Sequence, residues 1–182
     1  MVIGQGGAIP FMLENANITI SAGQAGLTVT GSEGQKIYDQ FMAINATAQQ
    51  EAMKLQQEFQ AANGDQAKIQ AIQEAYAKLM TDVQAKETEL IKANPDSYVS
   101  AFVIASGMGQ MEYEQLKERY NLLGEKAKAG AQGKAIAAQI AKLESTAIGQ
   151  IAPNFTITTP EGESISLYDI KGKVKLIDFW AS

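Results

Sequence analysis

Few residues in this chain are chemically capable, and their spacing sorts them quickly. Asp178 is a lone carboxylate in the apolar run Val174-Lys-Leu-Ile-Asp-Phe-Trp180, two residues before the chain's one Trp. On its own, such an Asp reads as solvated or capping at a strand end, and Trp180 reads as core. The acidic pairs Glu87/Glu89 and Glu112/Glu114 invite comparison with paired carboxylates that share acid and base work. Their i,i+2 spacing on helices points the members of each pair to different faces, so all four are expected in solvent. Gly4-x-Gly6-Gly7 is not a phosphate loop, because no strand precedes it and no helix follows closely. Tyr76, Tyr98, Phe102 and Tyr120 lie on apolar stripes, where core packing is a better account than a ligand cage.

Composition removes most other chemistry. With no Cys and no His among 182 residues, the chain holds no thiolate nucleophile, imidazole acid/base, Cys/His zinc site or disulfide. No short motif forms a complete active site, and no cofactor or metal is implied. The net charge of −5 argues against nucleic acid, since no basic stripe exists to displace counterions from phosphate. No apolar run approaches the ~20 residues of a membrane span, and no signal peptide is visible at Met1-Val-Ile-Gly. Hydrophobic residues make up 46% of the chain, which is enough for a globular core.

The elements that would position these residues fall into three stretches, giving an α+β fold class. In 1–31, three short strands are expected from the alternation at Ile9, Phe11 and Leu13, then Ile18 and Ile20, then Leu27 and Val29. Turns are expected at Asn15-Ala-Asn17 and Ser21-Ala-Gly23-Gln. Three short strands make a marginal ribbon, so either they pack on the helices that follow or, the preferred reading, they are the end of a larger β domain. In 32–147 the period becomes helical and predicts five mostly antiparallel helices. Ile37, Phe41, Ile44, Ala48, Ala52, Leu55 and Phe59 form the first stripe; Ile69, Ile72, Tyr76, Leu79, Val83 and Leu90 form the second. Asn63-Gly64-Asp65 joins them into an αα-hairpin, with Asp65 as N-cap. Asn94-Pro95-Asp96 ends the second helix, and a nearly all-apolar third from Ser97 to about Ser106 is the expected buried member. A fourth follows from Glu112 to Leu123. After a loose stretch, Gly124 to Gly133, a fifth carries Ile136, Ile140 and Leu143. In 148–182, strands are expected around Phe155–Ile157 and Ile165–Leu167 across a Pro160-Glu-Gly162-Glu turn. Residues 174–179, apolar on both faces, predict a central strand.

The last stretch carries an ordered series: Gly149, Ala152-Pro153-Asn154-Phe155, Gly162, Ser166-Leu167, Gly172-Lys173-Val174 and Asp178-Phe179-Trp180-Ala181-Ser182. It resembles the opening of thioredoxin-like thiol–disulfide oxidoreductases of the cell envelope, of the cytochrome-maturation type, over less than a fifth of the chain. More weakly, Phe11-x-Leu13-Glu14-Asn15 with Ile18-Thr-Ile20, then Gly31-Ser32, is similar to Gram-negative envelope proteins that place a β domain and a helical segment before such a domain. There a signal or lipoprotein peptide and further strands come first, so the resemblance implies truncation at both ends and a periplasmic, lipid-anchored parent.

In that family a Cys at a helix N-terminus, held as a thiolate by the helix dipole, attacks a substrate disulfide, and a second Cys resolves the mixed disulfide. The resemblance implies that Asp178 matches a buried acid that relays the second thiol's proton, and that Trp180 packs beside the active-site loop. Protein disulfides and dithiols would be the parent's partners. The chain itself would be the inert portion, because the Cys-x-x-Cys pair is missing. A different class of function stays open: a helical interaction or scaffold module whose last strands pair with a partner by β-augmentation. A peroxiredoxin relative fits the Phe-Trp-Ala-Ser ending less well.

Overall fold

A computed structural model describes residues 2–3, 6–8, 11–23 and 26–178. The chain divides into two compact units, Met1–Ile140 and Ala141–Ser182, and the described elements make an α+β protein.

The first unit begins with two antiparallel ribbons. Strand β1 (Val2–Ile3) pairs with β2 (Gly6–Ala8), and β3 (Thr19–Gly23) pairs with β4 (Gly26–Thr30) in the register Thr19↔Thr30 to Gly23↔Gly26. Ile18 and Leu13, expected in strands, lie outside them, as does Phe11; Ile9 falls outside the described residues. The physical reason that residues 11–13 form no strand lies in their partners. Met12 N–H donates to the Gln35 side chain at 2.8 Å, and Met12 C=O accepts from the Ser32 hydroxyl at 3.3 Å. The backbone here is therefore satisfied by the start of a helix rather than by a neighbouring strand. Met12, Ser32 and Gln35 are all buried. The second turn is displaced too, since Ser21 to Gly23 continue β3.

Helix α1 (Glu33–Ala61) starts at Ser32, whose Oγ accepts from Gln35 N–H at 2.9 Å, and α2 (Gln66–Ala93) starts at Asp65, whose carboxylate accepts from Ala67 and Lys68. Asn63 and Gly64 between them both take positive φ, the conformation that reverses a helix within a few residues. The expected αα-hairpin is thus present, with arms of 29 and 28 residues.

Its base is where the core sits. Helix α3 (Tyr98–Gly107), capped by Ser97, contacts α1 and the next two helices, α4 (Tyr113–Asn121) and α5 (Glu125–Ala129). Phe41, Ile91, Val99, Ile104 and Leu116 are fully buried, as is Ile136 of α6 (Ala131–Glu144). Tyr38 of α1 meets Phe102 of α3 edge to face, ring centroids 6.1 Å apart. The loop Asn94–Ser97 joins three helices. Asn94 C=O accepts from the Ser100 hydroxyl at 2.7 Å, Pro95 C=O from Gly124 N–H at 2.9 Å, and the Asp96 carboxylate from Lys126 N–H at 3.1 Å.

The stretch 124–133 is not loose. It holds α5 and the first turn of α6, so the described helices number six rather than five. Gly133 explains the miss: a Cβ there would run into Ala127 C=O and the Lys128 backbone, so the glycine permits the two short helices to touch. A glycine read from sequence as a breaker is here a contact.

In the second unit, β5 (Thr156–Thr158) pairs antiparallel with β6 (Ser164–Ser166), Ile157 opposite Ile165. The turn between them closes where expected, with Gly162 at φ 87° and Gly162 N–H on Thr159 C=O at 2.9 Å. Residues 174–178 form no strand, contrary to their pattern. A strand needs neighbouring backbone to take its N–H and C=O groups, and no described strand lies alongside them. Val174 and Leu176 are accordingly about nine-tenths exposed, at 89% and 94%.

Candidate functional site

The ordered series of the last stretch converges on the open end of the β5–β6 hairpin, opposite its turn. The Asn154 side-chain carbonyl accepts from the Ser166 hydroxyl at 2.8 Å and from Tyr168 N–H at 3.2 Å. Phe155 C=O accepts from Leu167 N–H at 3.0 Å, and the Tyr168 hydroxyl donates to Ala152 C=O at 2.7 Å. Ala-Pro-Asn-Phe and Ser-Leu, twelve residues apart, are thus two halves of one hydrogen-bonded lock. Leu167 is buried beneath it. Lys175 Nζ donates to Leu167 C=O at 2.9 Å and brings the following segment to the hairpin.

Between them lies a groove of about 460 Å³ lined by Phe155, Ile157, Ile165, Val174, Leu176 and Asp178 among others. Asp178 sits at its edge and is exposed. Trp180 lies outside the described residues. With neither Cys nor His in the chain, nothing in this groove can exchange a disulfide or shuttle a proton through imidazole. It is a largely apolar surface whose lining includes two charged residues, Lys175 and Asp178.

The other residues singled out from sequence separate. Glu112 and Glu114 are exposed, and Glu89 forms a surface ion pair with Lys92 at 2.9 Å. Glu87 corrects the expectation of a solvated face. Its Oε2 accepts from Arg119 Nη1 at 3.0 Å, with both side chains mostly buried. The i,i+2 spacing does send Glu87 and Glu89 to different faces; one of those faces is covered by α4, which local spacing cannot reveal. Tyr76 and Tyr98 are also corrected. Instead of lying in the core they are nearly half exposed, while Phe102 and Tyr120 are half-buried. Among the described residues no group of three or more His, Cys, Asp or Glu gathers as a metal site would require, and no helix is long and apolar enough to cross a membrane.

A second groove, unanticipated in the sequence, runs between α1 and α2. It has a volume of about 530 Å³ and includes Met53, Leu55, Phe59, Ile72 and Tyr76, with Gln49, Gln56 and Gln73 along it. The signal was present in residue types: Met53, Phe59 and Tyr76 occur in a stretch otherwise dominated by Gln and Ala.

No protein-family model matches the chain, and no curated protein or solved structure matches it either.

Proposed function

We propose that this chain is the non-catalytic portion of a thioredoxin-like thiol–disulfide oxidoreductase of the Gram-negative cell envelope, acting on protein disulfides or dithiols. The observation that carries this reading is the lock between Ala152-Pro-Asn154-Phe155 and Ser166-Leu167. Residues that the family pattern groups together are hydrogen-bonded across the open end of the hairpin, which supports reading them as one unit. The apolar residues that follow, Val174, Leu176 and Ile177, need covering on two faces, which suits a central strand of a larger parallel sheet. In that setting Asp178 would be buried beneath the resolving thiol, where desolvation raises a carboxyl pKa and lets it pass a proton. Trp180 would pack beside the reacting loop. The chain itself lacks the nucleophile and its resolving partner, so it binds no substrate disulfide covalently.

The test is to follow the source reading frame past the codon for Ser182. Continuation into Trp-Cys-x-x-Cys is the expected result. A stop codon directly after Ser182 would remove the redox reading.

A further inference from the structure

We propose that Asn63, at the tip of the α1–α2 hairpin, is a site of spontaneous modification, where the Gly64 main-chain nitrogen displaces the side-chain amide and leaves aspartate and isoaspartate.

Of the chain's seven asparagines, Asn63 is the one followed by glycine. The reaction needs a following main-chain nitrogen that is uncrowded, unbonded and carries a proton. Gly64 has no side chain to block approach, and a Cβ built on it would meet nothing within 4 Å. Among the described residues, neither its N–H nor the Asn63 side chain has a hydrogen-bond partner. The other asparagines each fail a requirement. Asn94 precedes Pro95, whose nitrogen carries no proton, and its own amide donates to Leu90 C=O at 3.0 Å. The N–H groups after Asn15 and Asn121 are bonded to Glu14 and Arg119 carbonyls, and the one after Asn45 lies within α1. Asn17 is followed by a β-branched residue, and the Asn154 side chain is held by Ser166 and Tyr168.

The turn must open before the two atoms meet, and little holds it closed. Asn63, Gly64 and Asp65 are all exposed, away from the core at the base of the hairpin. One backbone bond, Asp65 N–H to Ala62 C=O at 2.9 Å, spans the turn. Opening also releases Asn63 from its φ of 47°, a left-handed conformation that costs a residue with a side chain.

The chemistry is complete with water as co-reactant. A bond forms from Gly64 N to Asn63 Cγ as the bond from Cγ to Nδ2 breaks, and ammonia leaves with the Gly64 proton. Water then opens the five-membered ring. Attack at Cγ gives aspartate; attack at the main-chain carbon gives isoaspartate, with the chain now running through Cγ. Aspartate adds a charge between the C-terminus of α1 and the N-terminus of α2, where the two helix ends oppose each other's effect on it. Isoaspartate lengthens the main chain of the turn by one carbon, which displaces Asp65 from its cap on Ala67 and Lys68. The site lies in the first unit and does not depend on the redox reading.

The test is to age the full 182-residue chain at neutral pH, native and unfolded in urea. The peptide spanning Asn63 is then mapped by mass spectrometry, with fragmentation that separates aspartate from isoaspartate. The expected native result is steady conversion of Asn63 to both acids, slower than in urea, with the six other asparagines still amides. An Asn63→Gly chain, in which glycine takes positive φ freely, should age without change at the tip. Amide exchange should show the first turn of α2 loosened in the isoaspartate fraction but not in an Asn63→Asp chain. A native chain whose Asn63 stays an amide overturns the proposal, whether or not the urea sample converts. So does another asparagine converting as fast, or a product that is aspartate without isoaspartate, the mark of direct hydrolysis rather than attack by Gly64.

Discussion

Arg119 of α4 donates from Nη1 to Glu87 Oε2 of α2 at 3.0 Å, with the two side chains only 9% and 14% exposed. The pair joins residues 32 positions apart and fixes α4 against the base of the hairpin. Arg119 Nε is buried without a hydrogen-bond partner, so the guanidinium is incompletely satisfied. The desolvation of both groups is offset only while they remain together.

The first prediction follows from that balance. Glu87→Gln leaves a mostly buried cation without its counter-charge and should lower stability by about 3 kcal/mol. The double change Glu87→Leu/Arg119→Met should recover most of that loss, because it removes both desolvation costs at once. Urea unfolding of the three variants measures the difference.

Two helix N-caps should differ in what their removal costs. Ser32 is buried and serves both Gln35 N–H and Met12 C=O, whereas Asp65 caps α2 at the surface. Ser32→Ala should cost about 2 kcal/mol and Asp65→Ala about 1 kcal/mol or less. Thermal melts followed by circular dichroism will rank them.

Glu14 and Tyr98 give the chain opposite pH dependences. The Ser32 hydroxyl, opposed by some desolvation and aided by the Gly34 and Glu33 N–H groups and by Lys36, holds Glu14 below its ordinary 4.5. The contribution of Glu14 to stability is therefore complete above pH 4.5 and is lost as pH falls from there through the lowered value. Burial first, and the charge of Glu14 second, hold Tyr98 above its ordinary 10.0. Its contribution is complete below pH 10.0 and is lost as pH rises through the raised value. Glu14→Gln should flatten the acid limb of the stability profile. It should also bring Tyr98 part of the way back toward its ordinary value, which tyrosinate absorbance reads directly.

Gly133→Ala should be destabilising although alanine is the better helix former. The added methyl meets backbone at Ala127 and Lys128, which cannot turn aside as a side chain can. A loss of roughly 1–3 kcal/mol is expected from the overpacking, minus the ~1 kcal/mol that alanine ordinarily gains over glycine in a helix. A net gain in melting temperature would show that α5 and α6 are not held in contact.

Amide exchange should divide the chain sharply. Residues 174–178, with no ladder and mostly exposed side chains, should exchange at nearly the free-chain rate, while Val99 to Ile104 should be protected close to the global limit.

Local pattern was sufficient wherever one element's own periodicity and caps decided its structure. The arms of the hairpin, their Asn63-Gly64-Asp65 turn with its Asp65 cap, and the Gly162 turn were all legible on that basis. Sequence failed where a remote partner decided. Met12 is claimed by Gln35, Glu87 by Arg119 and Gly133 by α5, and none of these has a local signature. Tyr76 shows the reverse failure, because a residue on an apolar stripe is buried only if something covers that stripe. In the candidate site, the spacing of Asn154 and Ser166 was visible, but the hydrogen bonds that give it meaning were not.

The loop Asn94–Ser97 also bears on the order in which this protein folds. The arms of α1 and α2 are joined by a turn of four residues, so their contacts are local and can close early. Helix α5, five residues long, is too short to persist by itself. Its Lys126 amide depends on Asp96 and its preceding Gly124 on Pro95. It must therefore wait until the corner after α2 has been built. Slowing that corner, as by replacing Pro95, should delay α5 while leaving the hairpin's own formation at its original rate.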